Sequence, residues 1–314
     1  MLASLYGLAM SSLTFSVSSG TRFSQFQWPA WLGLAAIVLS DAIWAGHLGL
    51  HVIVQWRDFN LLAILVVAFA GFRSFGLRRA ALIAEFLALS VAISLAFTVF
   101  CYLAFGSSGA LVDKQLLAAD RALGFNWLAG FKTVAAHPLL ADILRWLYDS
   151  LNWQALYVCV LLGLMDRQRA LQEMFWLVFV SAVMTNVIAV AIPAYGPFEV
   201  FGLASHGSFL PDMIHLKSGQ DLTFALSKMT GVISFPSYHT VLALSYAWCL
   251  RRTGIVGYLA AAINFVMLFS IPFFGGHYLV DLIAGGCVML LSLGIVKICM
   301  VRFAPLARAS ALFA

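Results

Sequence analysis

The sequence predicts an all-α fold, a polytopic bundle of membrane-spanning helices, and three observations support this class. Of the 314 residues, 63% are hydrophobic and only 10% are charged, with a mean hydropathy of +0.97, whereas soluble domains have roughly 45–50% apolar and about 25% charged residues. Eight stretches approach or exceed the roughly 20 apolar residues of a spanning helix. No polar stretch is long enough to bury a core of its own.

The predicted spans are unevenly distributed along the chain. They cover residues 29–54, 58–73, 80–105, 143–164, 174–195, 237–251, 254–274 and 277–301, of which the second and sixth are short. We expect the six spans within residues 80–301 to form one bundle. Residues 1–79 then hold a leader and two accessory spans, and residues 302–314 form a cytoplasmic tail.

The net charge of +5 is not interpreted as nucleic-acid binding, because membrane proteins collect Lys and Arg on the cytoplasmic side. With the N-terminus inside, more of the 18 Lys and Arg residues fall on that side, which predicts cytoplasmic termini. Residues 106–142 and 196–233 then lie on the opposite, periplasmic or lumenal face. The first segment predicts amphipathic interfacial helices with Trp127 as an anchor. The second, rich in Pro and Gly, predicts a structured lid.

Two histidine motifs begin helices on that face. In "GGHYLVD", His277 and Asp281 are four residues apart and share a helix face. The carboxylate can therefore fix the imidazole tautomer and leave the other ring nitrogen as a nucleophile. Gly276 permits close backbone approach to a ligand, and the helix N-terminus offers N–H groups to an anion. Metal ligation is the alternative, but no Cys or further carboxylate is nearby, so we expect no metal.

The earlier motif, "FPSYHT", supplies a second helix N-terminus. Pro236 suits the first turn, Ser237 can cap the helix or donate to a phosphate oxygen, and His239 projects from the first turn. With Tyr238 these groups predict a phosphate cradle facing the other motif. One imidazole can attack phosphorus while the other protonates the departing oxygen.

Together, "FPSYHT" and "GGHYLVD" resemble the second and third signature motifs of the type 2 phosphatidic acid phosphatase superfamily, in particular its inositol-phosphorylceramide-synthase-like branch. The resemblance implies a catalytic membrane domain at 80–301 and a phosphohistidine intermediate without a metal or cofactor. It also implies His277 as nucleophile, Asp281 as its orienting partner and His239 as general acid.

The sequence departs from the family pattern at the cations. The third motif normally carries Ser-Arg seven and six residues before its histidine, and here Ser270 is followed by Ile271. The first motif is echoed only by Lys114 and Arg121, two spans earlier than in the family. We expect Lys217 in the lid to substitute for the lost cation.

Two further possibilities remain open at this stage. Tyr195 in "PAYGP" occupies the place of the first motif and can donate a hydrogen bond to phosphate. The acceptor is either a lipid or polyol hydroxyl, which makes a phosphotransferase, or water, which makes a phosphatidate or polyprenyl-diphosphate phosphatase. The resemblance favours the transferase, with a phospholipid and ceramide or diacylglycerol as partners and no nucleic acid.

A different class of function rests on the first span. Asp41, His47 and His51 are ionisable groups in an apolar segment, and such groups are candidates for proton transfer. The distant alternative is therefore a proton-coupled transporter. An interfacial structural role for the two histidines is the favoured interpretation.

Overall fold

A computed structural model describes residues 27–310 of the chain, with side chains over residues 27–300. It is 77% helical and has 13 helices in the described part, which confirms the predicted all-α class. The leader before residue 27 and the tail residues 311–314 lie outside the described residues.

The elements follow one another in this order. The helices are α1 (Trp28–Leu48), α2 (Asn60–Ser74), α3 (Arg78–Gly106), α4 (Asp113–Ala122), α5 (Trp127–Ala135), α6 (Pro138–Leu164), α7 (Gln168–Ala191), α8 (Pro197–Val200), α9 (Leu210–Ser218), α10 (Tyr238–Leu250), α11 (Ile255–Leu268), α12 (Ile271–Phe274) and α13 (Leu279–Ser310). The strands β1 (His51–Ile53) and β2 (Thr223–Ala225) pair in parallel, with His51 opposite Thr223.

Four described helices are long and apolar enough to cross a membrane: α1, α3, α7 and the Leu279–Met300 part of α13. The chain is therefore a membrane protein. Each of the eight predicted spans corresponds to a helix, but α2, α10 and α11 have only 15, 13 and 14 residues. The predicted span 254–274 is interrupted, because α11 ends at Leu268 and the chain restarts as α12, with Pro272 in its first turn.

The bundle is organised around α3 and α10. Helix α3 packs against α1, α2, α6 and α7, while α10 packs against α6, α7, α11 and α13. Helices α10 and α13 begin at the end of the bundle where α3 and α7 finish, and we call this the histidine end. Both histidine motifs lie there.

Short elements cover the histidine end. Helices α4 and α5 are amphipathic, as predicted, and the lid (residues 196–233) contains α8, α9 and β2. The β1–β2 pairing ties the α1–α2 hairpin to the lid.

Trp127 does not anchor the interface, and that prediction was wrong. Its side chain is 1% exposed and stacks on Phe131 and Phe201. Its indole N–H donates to the carbonyls of Pro272, at 3.0 Å, and His277, at 3.1 Å. Trp127 therefore supports the loop that carries the second motif.

Candidate active site

The structure brings the two histidine motifs together. The ring centroids of His239 and His277 are 5.7 Å apart, at an interplanar angle of 64°. His277 is 3% exposed, whereas His239 is half-buried. Any group held between the two rings is thus shielded on the His277 side and reachable on the His239 side.

His277 is fixed through its Nδ1 atom. That nitrogen lies 2.8 Å from the carbonyl oxygen of Ser234 and 3.4 Å from Oδ2 of Asp281. Both partners accept, so they favour the proton on Nδ1 and leave Nε2 unprotonated. Burial lowers the pKa of His277 to about 4, against a smaller opposing effect of the Ser234 carbonyl. The ring is therefore a neutral imidazole near pH 7, as a nucleophile requires.

Asp281 also links the two motifs. Its Oδ2 accepts from the backbone N–H of Tyr278 at 2.8 Å and from the Ser234 hydroxyl at 3.3 Å. Its backbone carbonyl accepts from the N–H of Ser237 at 3.0 Å. Asp281 thus shares the orienting of His277 with the Ser234 carbonyl, which sequence reasoning did not identify because a backbone oxygen leaves no residue-type signal.

Helix α6 provides the partner of His239. The Tyr148 hydroxyl lies 2.9 Å from Nε2 of His239, and the two rings stack with centroids 4.8 Å apart. Sequence reasoning missed Tyr148. The available signal was a tyrosine near the start of a predicted span, at the same end of the bundle as both motifs.

The start of α13 does not offer free N–H groups, contrary to the sequence-based prediction. The N–H groups of Leu279 and Val280 each donate, at 2.9 Å, to the carboxylate of Asp120 on α4. An acidic side chain at a helix N-terminus is favourable for the same reason that a phosphate would be. The anion at this terminus is therefore part of the protein.

Asp113, seven residues before Asp120, holds the neighbouring turn. It accepts from the backbone N–H groups of Tyr195, at 3.0 Å, and Gly196, at 2.8 Å, and from the Tyr278 hydroxyl at 3.0 Å. A spacing of seven places both aspartates on one helix face. That regularity is visible in the sequence, but a pair of carboxylates does not match the cationic pattern expected of a phosphate site.

The lid packs directly on the second motif. Gly276 has φ +64°, and a Cβ atom there would lie 2.6 Å from the ring of Phe198. A Cβ atom on Gly196 would lie 2.4 Å from the Gly276 carbonyl oxygen. Close approach of backbone at Gly276 therefore serves the lid, and phosphate binding by Gly276 stays a prediction.

The other predicted phosphate ligands make contacts of their own. The Ser237 hydroxyl accepts from the N–H of Thr240 at 3.4 Å as the cap of α10, and the Tyr238 hydroxyl donates to the Val178 carbonyl at 2.9 Å. Tyr195 is half-buried, and burial raises the pKa of its hydroxyl, which keeps it a donor. Phosphate binding by these three residues stays a prediction.

None of the predicted cations touches the two histidines in the described structure. The Lys217 ammonium donates to the carbonyl and hydroxyl of Ser108, at 2.7 and 2.6 Å, and lies 4.9 Å from the centre of the Phe105 ring. Lys114 and Arg121 are exposed on α4. Their roles stay predictions.

The residues at the family's Ser-Arg position lie in the protein core. Ser270 and Ile271 are each 0% exposed, and the Ser270 hydroxyl donates to the Met267 carbonyl at 2.6 Å. A cation in place of Ile271 would be surrounded by apolar side chains of the main core. This position therefore contributes no charge to the site.

The ionisable residues of α1 form no comparable cluster. His47 and His51 are exposed, while Asp41 is 5% exposed and its Oδ1 has no hydrogen-bond partner among the described residues. Over residues 27–300, no three His, Cys, Asp or Glu side chains are grouped as ligands for a metal ion.

The geometry suits nucleophilic displacement at phosphorus. It combines a neutral, oriented imidazole with a second imidazole close enough to act on the opposite side of one tetrahedral group.

Residues 114–295, more than half of the chain, match the family model described as the PAP2 superfamily. No curated protein and no solved structure matches the chain. The match includes both histidine motifs, and the chain belongs to the PAP2 superfamily.

Proposed function

We propose that the protein is a lipid phosphotransferase or phosphatase that acts through a phosphohistidine on His277. The observation that carries the proposal is the 5.7 Å separation of the His239 and His277 rings, with Asp281 and the Ser234 carbonyl behind His277. Membership of the PAP2 superfamily supports a phosphatase-type lipid enzyme.

The reaction has two halves. Nε2 of His277 forms a bond to phosphorus, the bond from phosphorus to the leaving oxygen breaks, and His239, which is protonated at the start of the reaction, supplies the proton to that oxygen. In the second half, His239 takes the proton from an acceptor hydroxyl. The acceptor oxygen attacks phosphorus and releases His277. The proton and the phosphoryl group are each transferred twice, so the enzyme returns to its starting state.

A lipid or polyol hydroxyl is the favoured acceptor, as in the inositol-phosphorylceramide-synthase-like branch. The burial of His277 and the lid packed on Gly276 support this choice, because they shield the His277 side of the site from the water that would hydrolyse the intermediate. A phosphatase with water as acceptor uses the same residues and is the second candidate.

Sidedness and organisation are part of the proposal. The charge bias supports an active site on the periplasmic or lumenal face and cytoplasmic termini. Residues 80–301 form the catalytic membrane domain, and the α1–α2 hairpin is an accessory that contacts the lid through β1 and β2. Phospholipids and ceramide or diacylglycerol are the expected partners.

The test is to trap the intermediate. Purified protein is incubated with phosphatidic acid carrying a labelled phosphate, then quenched in base or in acid. Phosphohistidine is stable in base and labile in acid, so protein-bound label should survive only the base quench and be absent from His277→Ala. Label that survives acid, or label on His277→Ala, would contradict the proposal.

The acceptor is identified in the same preparation. Labelled phosphatidylinositol or phosphatidic acid is supplied with and without ceramide or diacylglycerol. A new labelled lipid that requires the added acceptor supports the transferase, whereas release of a water-soluble phosphate product without acceptor supports the phosphatase.

A further inference from the structure

A phosphate monoester held between His239 and His277 carries more negative charge than the residues already described can offset. His277 is neutral when it attacks, so the one positive charge is that of His239, which must be protonated to act as general acid, and a phosphate ester loses its hydration when it leaves water. The start of α13 is occupied by Asp120, and Ile271 is apolar and buried. The ammonium of Lys217 is bound to Ser108.

The way into the site is restricted to one side. The lid closes the His277 side, where Phe198 packs on Gly276. On the other side, His239, Tyr148 and Phe274 are all half-buried, and the side chain of Arg145 beside them is exposed. A ligand therefore reaches His239 along α6.

Arg145 belongs to this approach. Its guanidinium carbon lies 4.8 Å from the centre of the Phe274 ring, which in turn lies 6.4 Å from the Tyr148 ring. Arg145 and Tyr148 are three residues apart on α6 and share one face. The contacts thus run without a break from Arg145 through Phe274 and Tyr148 to His239.

The guanidinium is also available to bind a ligand. Among the described residues, no carboxylate lies within the 4 Å of an ion pair with Arg145, although Asp142 and Asp149 are on the same helix. Contact with a ring face leaves the N–H edges of a guanidinium free, and those edges match the oxygens of a phosphate.

The surroundings of Arg145 suit a lipid. Trp146 and Trp153 on α6 are 66% and 70% exposed, and aromatic side chains of this kind occur where a helix meets the head-group region. A lipid that lies beside α6 can therefore place its phosphate at Arg145 while its chains stay in the membrane.

We infer that Arg145 is the phosphate-recognising cation of this site, at a lateral entrance between α6 and α12. It selects phospholipids with an anionic phosphate and replaces the arginine that the chain lacks at Ile271. This inference rests on the proposed function for the identity of the ligand. It concerns binding, and it can therefore be tested without turnover.

The experiment measures binding of phosphatidic acid in neutral detergent micelles to the His277→Gln protein, which cannot form the intermediate. In that background, Arg145→Gln should raise the Kd about 10- to 100-fold, because a charge-assisted contact to phosphate is lost. Arg145→Lys should give a smaller increase, since an ammonium cannot donate through a planar fork. Binding of uncharged diacylglycerol should change less than twofold.

Arg57→Gln is the matched control. It removes the same charge from another exposed arginine in the turn after β1, and it should leave the Kd within twofold. Equal losses in Arg57→Gln and Arg145→Gln would indicate general attraction of anionic micelles and would overturn the inference. An unchanged Kd in Arg145→Gln, or no saturable binding to the His277→Gln protein, would also overturn it.

Folding and function are separated by two further readings. Gel filtration and thermal unfolding of each variant identify loss of structure. If Arg145→Gln loses structure, the inference is tested by whether the Kd of Arg145→Lys exceeds that of the parent His277→Gln protein. Arg145-dependent binding by a protein that never forms the labelled intermediate would refute the proposed function alone. If Arg145→Gln changes neither turnover nor the Kd, this inference alone is refuted.

Discussion

Two regions of the molecule place ionisable side chains in or beside apolar helices, and they differ in what those side chains contact. At the histidine end, Asp281 is 0% exposed and accepts from Tyr278 and Ser234 while it lies against His277. In α1, Asp41 is nearly as buried, but its carboxylate has no hydrogen bond among the described residues; the Oδ1 atom is unpartnered in both aspartates, and the Asp281 carboxylate differs in its bonded Oδ2.

The histidines show the same contrast. His239 and His277 face each other, and each has a polar partner for a ring nitrogen. His47 and His51 are exposed at the end of α1 and in β1. An ionisable residue in an apolar segment is therefore a weak signal by itself. A functional site is indicated when two such side chains lie close together and each has a hydrogen-bond partner that fixes its orientation.

Removal of the nucleophile should have the largest effect. His277→Ala should lower kcat by at least about 10⁴-fold, because no other group in the pocket can form the covalent intermediate. His239→Ala should lower kcat by about 10²- to 10⁴-fold, the usual contribution of a general acid. Turnover is measured with phosphatidic acid. Retention of more than a tenth of the activity in His277→Ala would remove the basis for treating the two regions differently.

The next variant tests how much Asp281 and the Ser234 carbonyl each contribute to orienting His277. Asp281→Asn keeps an acceptor for the Tyr278 N–H but removes the negative charge near Nδ1. The Ser234 carbonyl still fixes the tautomer, so we expect a loss in kcat of about 10²-fold, smaller than the roughly 10⁴-fold known for a triad with a single orienting carboxylate. A loss as large as that of His277→Ala would show that the carboxylate acts alone.

The pH dependence tests the buried state of His277 directly. The reactive form is the neutral imidazole, and burial lowers the pKa of His277 to about 4. With an activated nitrophenyl ester, which needs no general acid, the rate of intermediate formation should stay level from pH 8 to about 5. It should then fall about tenfold per pH unit below 4. Rapid quenching measures the rate, and reassay at pH 7 controls for unfolding. A midpoint near 6.5 would mean that His277 is solvated.

The helices of the fold could be predicted from the sequence more fully than the residues that hold the two histidines in place. Hydropathy located the eight main helices, and the histidine motifs identified the pair that converges. Trp127 was misassigned because an aromatic in an amphipathic segment has the same pattern whether it faces lipid or the core. Its 1% exposure depends on Phe131, Phe198 and Phe201, which only the folded chain brings together.

The start of α13 shows a second limit of the sequence. A glycine pair before a helix predicts an anion site, and an anion is present there, but it is the carboxylate of Asp120 from more than 150 residues away. Pairing at such separation leaves no local signal. Tyr148 was missed although it lies near the start of a predicted span, because its role depends on the packing of α6 against α10.

A smaller effect is expected at Tyr148. Tyr148→Phe keeps the ring stacked on His239 but removes the hydroxyl beside Nε2, and we expect kcat with phosphatidic acid to fall about tenfold, from loss of one hydrogen bond. If the hydroxyl acts through the proton transfer of His239, the loss should disappear with the nitrophenyl ester. An equal loss with both substrates would assign Tyr148 a packing role instead.

The smallest effect is expected in α1, and it tests the comparison from the other side. His47→Ala, His51→Ala and Asp41→Asn should each leave kcat and KM within about twofold, because their side chains have no described contact with the histidine pair. Proton uptake into vesicles is recorded in parallel, since a transporter would lose it in these variants and keep it in His277→Ala. Loss of phosphoryl transfer in the α1 variants would mean that the hairpin joined to the lid by β1 and β2 belongs to the active site.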